Sequence, residues 1–575
     1  MRPIPISFFG SADTIDPNDF ITVWDVTAGD TVQLRQNASY TASINYDVDW
    51  GDGTVETGIT DPNKTHTYAA TGVYDVKVSG SFPALYLGVT TGANRGRLVE
   101  LKQWGVTSVL SLYKAFQNCA NMVYSATDAP DLSSISTTTS NLFRQAFEGC
   151  NAIIDLDLSG WSNVGHAGSY GLYRMFYNSV NLETINLTGW DVTTATNSYN
   201  VFQKVGYSTA SGCRILAPNL DWASNNDIRG MFQDTFFNSF DISNWKLSPS
   251  TAIDAGSLFL QAKFNSPTAL DLSSWANTGS INDLRQAFRG PVSGGSNITS
   301  LNMTGWDTTN VTDMSYFCYL QKDMTALIGL GGFKADNLTD LKGAFWSCHS
   351  IDFTTHNFND LLWGNVIQLV GNNEYMFREC CLTSPGPAPN IQPWDISLVT
   401  SLKGCFLSAK FTTAVNIDSW DFTSVTTMND MFRDSTGTTS VTFNNITSSV
   451  TSFYALFYLN PDITTIIYDN SCDLSGITTW QFYAQDASSL TTFTIPALAS
   501  FAGTTVMSSA FGGSSAPPLS IASYDLLLRR LDSTLINTIT LTATLASWTC
   551  GSAAATAHAN LIAAGNTLSD TGSCT

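Results

Sequence analysis

The sequence predicts a β-rich α/β solenoid of about fifteen strand-turn-short-helix units, preceded by a small β-sandwich and closed by a helical C-terminal cap. Three observations predict it. A Phe closes each of a series of similar segments, at Phe116, Phe147, Phe176, Phe202, Phe232, Phe259, Phe288, Phe317, Phe345, Phe377, Phe406, Phe432, Phe457, Phe482 and Phe511, with spacings of 25 to 32 residues. A short apolar run ending in Trp recurs within those segments, as in Leu156–Trp161, Ile185–Trp190, Leu270–Trp275 and Val415–Trp420. Residues 20 to 88 instead alternate apolar and polar side chains at the two-residue period of strands, punctuated by Gly and Asp. No single repeat of this size buries its apolar face alone, so neighbours must stack.

The chain opens with Pro3, Pro5 and Pro17 in residues 1–19, an extended arm or linker. This stretch has no apolar run long enough for a signal-peptide core, and no later segment reaches the ~18 apolar residues of a membrane span. The expectation is a protein that is neither exported by the usual route nor inserted in a membrane.

From Phe20 the strands of the predicted sandwich (residues 20–90) include Ile21–Trp24, Thr31–Leu34, Ser43–Trp50, Thr65–Tyr68 and Gly72–Val78. The turn Asp49-Trp50-Gly51-Asp52-Gly53, followed by His66-Thr67-Tyr68 and Gly72-Val73-Tyr74-Asp75-Val76, resembles the PKD-like domain. That resemblance implies a non-catalytic spacer or contact module. Asp47, Asp49 and Asp52 are candidate calcium ligands. They depart from an EF-hand, because the third acid falls at position six and no later Glu follows, and a tight hairpin turn is the competing reading. His66 reads as a structural strand residue.

The repeats occupy residues 95–515, and Leu301–Phe317 is their clearest copy. Leu301 and Met303 point inward from a strand, Gly305 and Asp307 bracket a turn, and Thr312 with Asp313 caps a predicted short helix carrying Met314 and Phe317. The period is leucine-rich-repeat-like. With the Trp-Asp and Met-x-x-Phe elements of this copy and the Trp-Asp and Met-x-x-Met-Phe elements of residues 415–432, the chain resembles the BspA-like leucine-rich-repeat family. The resemblance implies surface adhesins, with related chains among bacteriophage tail and fibre proteins. In residues 516–575, Ser523–Leu531 and Ala553–Gly565 have helical spacing and predict the cap.

Composition narrows the function. Charged residues are 13% of the chain, about half the usual share. Net charge is −21, and of 47 acids six are Glu and 41 Asp, which points to turn chemistry repeated many times. With 26 Lys and Arg the chain is too poor in cations for a phosphate-binding stripe, so nucleic acid is not an expected partner. Of eleven Cys, four stand three residues after a repeat Phe (Cys119, Cys150, Cys348, Cys380), the pattern of a small buried filler, whereas Cys550 and Cys574 are the pair expected to bridge in an oxidising location.

No nucleophile elbow, phosphate loop or zinc spacing is present. His349 and His356, with Asp352 and Asp360, form the one cluster worth testing for a metal. The expectation is therefore a non-enzyme without a cofactor: a virion protein of a bacteriophage (tail or head fibre, or another surface appendage), assembled in the host cytoplasm and exposed on the particle. Its expected partners are other virion proteins through the N-terminal region and a host-surface receptor or glycan, with homo-oligomerisation open. A bacterial cell-surface adhesin is the first alternative. A polysaccharide-degrading appendage protein, with Asp pairs about 5 or about 7 to 9 Å apart, is the second.

Overall fold

Among the described residues, regular structure begins at Phe20, where the alternating pattern starts. The computed structural model describes residues 16–135, 141–161, 171–329, 337–353, 368–392, 394–535 and 537–575. They belong to two compact units, Met1–Asp227 with Thr235–Lys246, and Ile228–Asp234 with Leu247–Thr575.

In the first unit, β1 (Phe20–Val26) pairs antiparallel with β6 (Gly72–Ser81), which also pairs with β3 (Asn45–Asp49), itself paired with β4 (Val55–Ile59). β2 (Thr31–Arg35) and β5 (Asn63–Thr67) form a separate antiparallel pair. Trp24, Tyr46, Trp50 and Tyr68 are fully buried among these strands. The indole of Trp50 donates to Glu56 Oε1 at 3.0 Å and the Tyr68 hydroxyl to the Trp50 carbonyl at 2.9 Å, so the polar tips of both rings are satisfied. Gly51 has φ +78°, and a Cβ there would lie 2.6 Å from the Asp75 carbonyl oxygen, which explains glycine in this turn.

The break anticipated between residues 90 and 95 is bridged by a sheet. After the short helix α1 (Gly92–Arg97), β7 (Leu98–Gln103) pairs antiparallel with β1 and parallel with β8 (Val123–Tyr124). The N-terminal strands thereby cover an edge of the first coil, which unpaired would template association. Further coils contribute β9 (Asp155–Asp157), β10 (Thr184–Asn186), β11 (Cys213–Leu216) and β12 (Phe236–Asp241), all parallel and paired in sequence order. Leu156, Ile185 and Ile215 face one another in register and are wholly buried.

The Asp bias resolves into Asx turns, in which a side-chain oxygen accepts from the backbone N–H two residues on. Where a strand ends, Asp157 takes Ser159, Asn186 takes Thr188, Asp271 takes Ser273 and Asn302 takes Thr304, at 2.9–3.0 Å. After the Trp, Asp191, Asp307 and Asp421 do the same to Thr193, Thr309 and Thr423. A third corner is made by Asp254, Asp283, Asp313 and Asp340. Asp and Asn reach these amides, whereas the longer Glu side chain does not suit the geometry, so acids concentrate as Asp.

The predicted short helix of each repeat is absent: the described repeats carry a ribbon of consecutive turns there. Two sets of backbone bonds alternate along it. Phe143, Gln145, Phe147 and Gly149 donate to Gly171, Tyr173, Met175 and Tyr177 of the next coil at 2.9–3.0 Å, while Ala146, Glu148 and Cys150 donate three residues back within their own coil. The geometry requires left-handed residues four apart on either side of the repeat Phe. Gln145 and Gly149, Arg174 and Asn178, and Asn200 and Lys204 all have φ between 53° and 69°. A non-glycine residue there costs about 1–2 kcal/mol and persists because the inter-coil bonds over-determine it.

The same geometry corrects two members of the Phe series. Tyr316 and Leu320 are the left-handed pair of their coil, which puts Cys318, not Phe317, in the Phe column, although Phe317 beside it is also buried. Phe482 is itself left-handed (φ 56°) and only half-buried, and Tyr483 and Ala484 take the inward positions.

The second unit repeats the parallel coil. Thr268–Asp271, Ile298–Asn302 and Ala326–Ile328 form one ladder, Gln368–Asn372 and Asp395–Ser401 another, and Ser440–Phe443, Thr465–Tyr468 and Thr492–Thr494 a third. Residues 516–575 continue this stacking. Thr540–Thr542 pairs parallel with Thr567–Ser569, and helices α2 (Ile521–Thr534) and α3 (Ala553–Ala563) occupy the intervening connections, capped by Ser520 and Ser552. Cys550 and Cys574 form the disulfide.

Two outcomes test these turns. At Ser509, left-handed at φ 58°, Ser509→Gly is expected to be near neutral and Ser509→Val to lower stability by about 1–2 kcal/mol, measured by denaturant unfolding. Asp131, Asp157 and Asp271 are held below the usual carboxylate range, first by the hydroxyls and then by the amides of Ser133, Ser159 and Ser273. Their folded values lie below the unfolded ones, so the stability they contribute is present above the ordinary carboxylate range and is lost as pH falls through the folded values. Asp340, raised by burial, acts with the opposite sign. Asp157→Asn with Asp271→Asn should keep the turns, as Asn186 and Asn302 do, and should flatten the acid limb of a melting-temperature profile below the ordinary carboxylate range.

Candidate functional site

Three side-chain columns build the interior, and what they leave outside is the candidate surface. The repeat Phe rings stack from coil to coil: within the first unit Phe116, Phe147, Phe176 and Phe202 have centroids 5.6–6.1 Å apart, and within the second Phe377, Phe406, Phe432 and Phe457 lie 5.1–5.7 Å apart. Tryptophan forms the second column. The indole N–H groups of Trp190, Trp245, Trp306 and Trp420 donate to the carbonyls of Leu158, Ala217, Leu272 and Ile391 of the preceding coil at 2.6–3.0 Å.

The third column stands three residues after the Phe position. Cys150 Sγ lies 3.1 Å from the Phe116 carbonyl oxygen, Cys348 Sγ 3.2 Å from that of Cys318, and Cys380 Sγ 2.9 Å from that of Phe345. Ser179, Thr235 and Gln321 donate to the corresponding carbonyls of Phe147, Phe202 and Phe288. These cysteines are donors in a column where a hydroxyl or amide serves equally. Burial pushes Cys119 up to about 12 and raises Cys150, Cys348 and Cys380 as well, so they are protonated and inert at neutral pH.

The ribbon's outward positions are occupied differently. In the first unit Tyr86 and Tyr113 lie 5.4 Å apart and Tyr173 and Tyr199 5.6 Å apart. The Arg144 guanidinium sits 4.9 Å from the Tyr173 ring, and that of Arg174 sits 4.7 Å from Tyr177 and 5.3 Å from Tyr173. In the second unit Tyr319, Trp346 and Tyr375 continue such a row, with Arg378 4.4 Å from Trp346. All of these residues are half-buried.

The carboxylates proposed for calcium are each engaged by a different amide. Asp47 accepts from Gly58, Asp49 from Gly51 and Asp52 from Thr54, at 2.7–3.0 Å, and Asp52 also pairs with His66 at 2.8 Å. His66 also stacks on Trp50 with centroids 4.8 Å apart. His349 is half-buried and its pKa is lowered, first by burial and then by Lys322. His356 and Asp360 lie outside the described residues, so the His349–Asp360 cluster is not assembled here. Among the described residues no three His, Cys, Asp or Glu side chains converge on a metal position, and no helix is long and apolar enough to cross a membrane.

One polar cluster has no signal in sequence spacing. The buried Tyr524 hydroxyl donates to Asp570 Oδ2 at 2.7 Å, His558 Nε2 lies 3.1 Å from the same oxygen, and the His558 ring stacks on Trp548 at 3.9 Å. Desolvation, and then the Asp570 carboxylate, raise the Tyr524 pKa, so the phenol stays a donor. The cluster ties α2 and α3 to the last coil.

Parallel coils stacked in register, with few helices, define a β-solenoid of about 16 turns. A family model matches residues 91–211, 172–300, 282–382 and 372–492, well over half of the chain, and the protein belongs to that family, DUF285, described as a Mycoplasma protein of unknown function. The BspA-like resemblance of Leu301–Phe317 thus holds at the level of the repeat. Neither the curated proteins nor the solved structures include a significant match.

Asp570→Ala should leave the Tyr524 hydroxyl without its acceptor and destabilise the C-terminal coils by about 1–3 kcal/mol. Faster amide exchange confined to residues 520–575 is the expected reading.

Proposed function

We propose that this protein is a non-enzymatic attachment protein displayed on a bacteriophage particle, as a tail or head fibre or another appendage. The observation that carries this reading is the division of labour within the coil. Inward columns keep Phe, Trp and a small donor, while the ribbon's outward positions change from coil to coil on an unchanged backbone, the arrangement of an extended contact surface. In this reading residues 20–90 are a PKD-like β-sandwich that spaces the solenoid from its mount, and α2 with α3 serves as a helical cap. The Cys550–Cys574 bridge supports an oxidising location outside a cell.

A bacterial cell-surface adhesin is the second reading, favoured by a family described from Mycoplasma. Mass spectrometry of purified particles and of surface-shaved host cells separates the two. The chain is expected in particles, and the purified protein is expected to bind host cells and slow phage adsorption in proportion to its concentration. Its recovery from the cell surface alone would select the adhesin, and failure to bind any host cell would sink both.

A further inference from the structure

Cations and acids occupy different places in the first unit. The ribbon segments of its coils, residues 111–119, 141–150, 171–179 and 198–206, carry Lys114, Arg144, Arg174 and Lys204 but a single acid, Glu148, in a chain whose net charge is −21. Glu148 is 9% exposed and held by two amides, Gln117 Nε2 at 3.1 Å and Gln145 Nε2 at 2.7 Å. Among the described residues no carboxylate lies within ion-pair distance of Lys114, Arg174 or Lys204, although acids outnumber cations in the chain 47 to 26. Arg174 is placed by tyrosines instead, with ring centroids of Tyr177, Tyr173 and Tyr199 at 4.7, 5.3 and 5.9 Å, and its buried Nε has no acceptor.

Resting on the attachment reading, we infer that this Tyr/Arg row is the binding face for a linear anionic polysaccharide whose carboxylates are met by Arg144 and Arg174. Successive coils stand about 4.8 Å apart, so the row presents donors along one line, suited to a polymer with a repeated charge. Stacking on tyrosine orients each guanidinium and lowers the ordering cost when its fork accepts a planar carboxylate. Nucleic acid fits less well. The ring faces are already taken, by the Tyr173–Tyr199 contact and by Arg144 at 4.9 Å and Arg174, whereas single strands are held by stacking bases on open aromatic faces. What remains outward is ring edges, hydroxyls and N–H groups, which suit sugar hydroxyls and carboxylates.

Affinity electrophoresis of the full chain in gels containing alginate, hyaluronan or neutral dextran tests this, with a single-stranded DNA oligonucleotide as a fourth probe. Retardation by alginate or hyaluronan and not by dextran is expected. Arg144→Gln with Arg174→Gln should weaken it ten- to a hundredfold, the loss of two charge-assisted contacts. Arg174→Lys keeps the charge and removes the fork, and should weaken it by a smaller factor with an unchanged melting temperature. Equal retardation of the wild type and the double variant, no retardation by either polyuronate, or tighter binding of the oligonucleotide would overturn the inference. Host-cell binding that survives in the double variant would overturn it too, while leaving attachment intact.

Discussion

Backbone hydrogen bonding between coils is the constraint on which the rest of this protein depends. A buried N–H or C=O without a partner costs as much as a lost hydrogen bond, so each coil must present its neighbours with a complete set of donors and acceptors. Strands such as Thr184–Asn186 do so by parallel pairing on both sides. The turn ribbon does so by alternation: every second N–H goes to the next coil and the others close turns within their own. Left-handed residues four apart are the conformational cost of that alternation, and they hold a ribbon where local sequence favours a helix.

The side-chain columns follow from the same register. Because each coil advances by one ladder spacing, a Phe in one coil falls on the Phe of the next, and the stack from Phe406 to Phe457 is a direct consequence. The Phe116 carbonyl already accepts from the Cys119 amide and has a second lone pair facing the following coil, where Cys150 Sγ meets it. Ser179 and Thr235 serve the same acceptor elsewhere. Where Cys318 replaces Phe in the column the stack is interrupted, and Phe288 meets the adjacent Phe317 edge-on at 79°.

Much of this architecture was legible in the sequence. The period of the Phe series, the inward Leu and Ile of each short strand, the burial of the repeat Trp and Cys, and the Asp-rich turns all depend on local spacing, which a sequence displays. The ribbon was not legible, because Met-x-x-Met-Phe spacing at 428–432 fits a helix as well as it fits a turn ribbon. The residues that break the tie, such as Gln145, Arg174, Asp430 and Phe482, are left-handed without being glycine, and their side chains give no local sign of it. The Tyr524–Asp570–His558 cluster was hidden for another reason: its members lie 12 to 46 residues apart and meet only through the packing of α2 and α3. The Tyr/Arg row required knowing that Tyr113, Arg144 and Tyr173 occupy one register position in successive coils.

The charge pattern then acquires a structural cause. Asp and Asn are consumed at the corners because their short side chains reach the amide two residues on, and this draws negative charge to the ends of the strands. The ribbon satisfies most of its amides through the backbone, with Ser111 and Asn197 taking those of Tyr113 and Tyr199, so it makes little demand for carboxylates and leaves its outward positions to vary. Tyr and Arg accumulate there, supported by one another across coils. The most repetitive part of the chain is therefore the scaffold, and the side chains that differ from coil to coil lie at the ribbon positions that the repeat leaves unspecified.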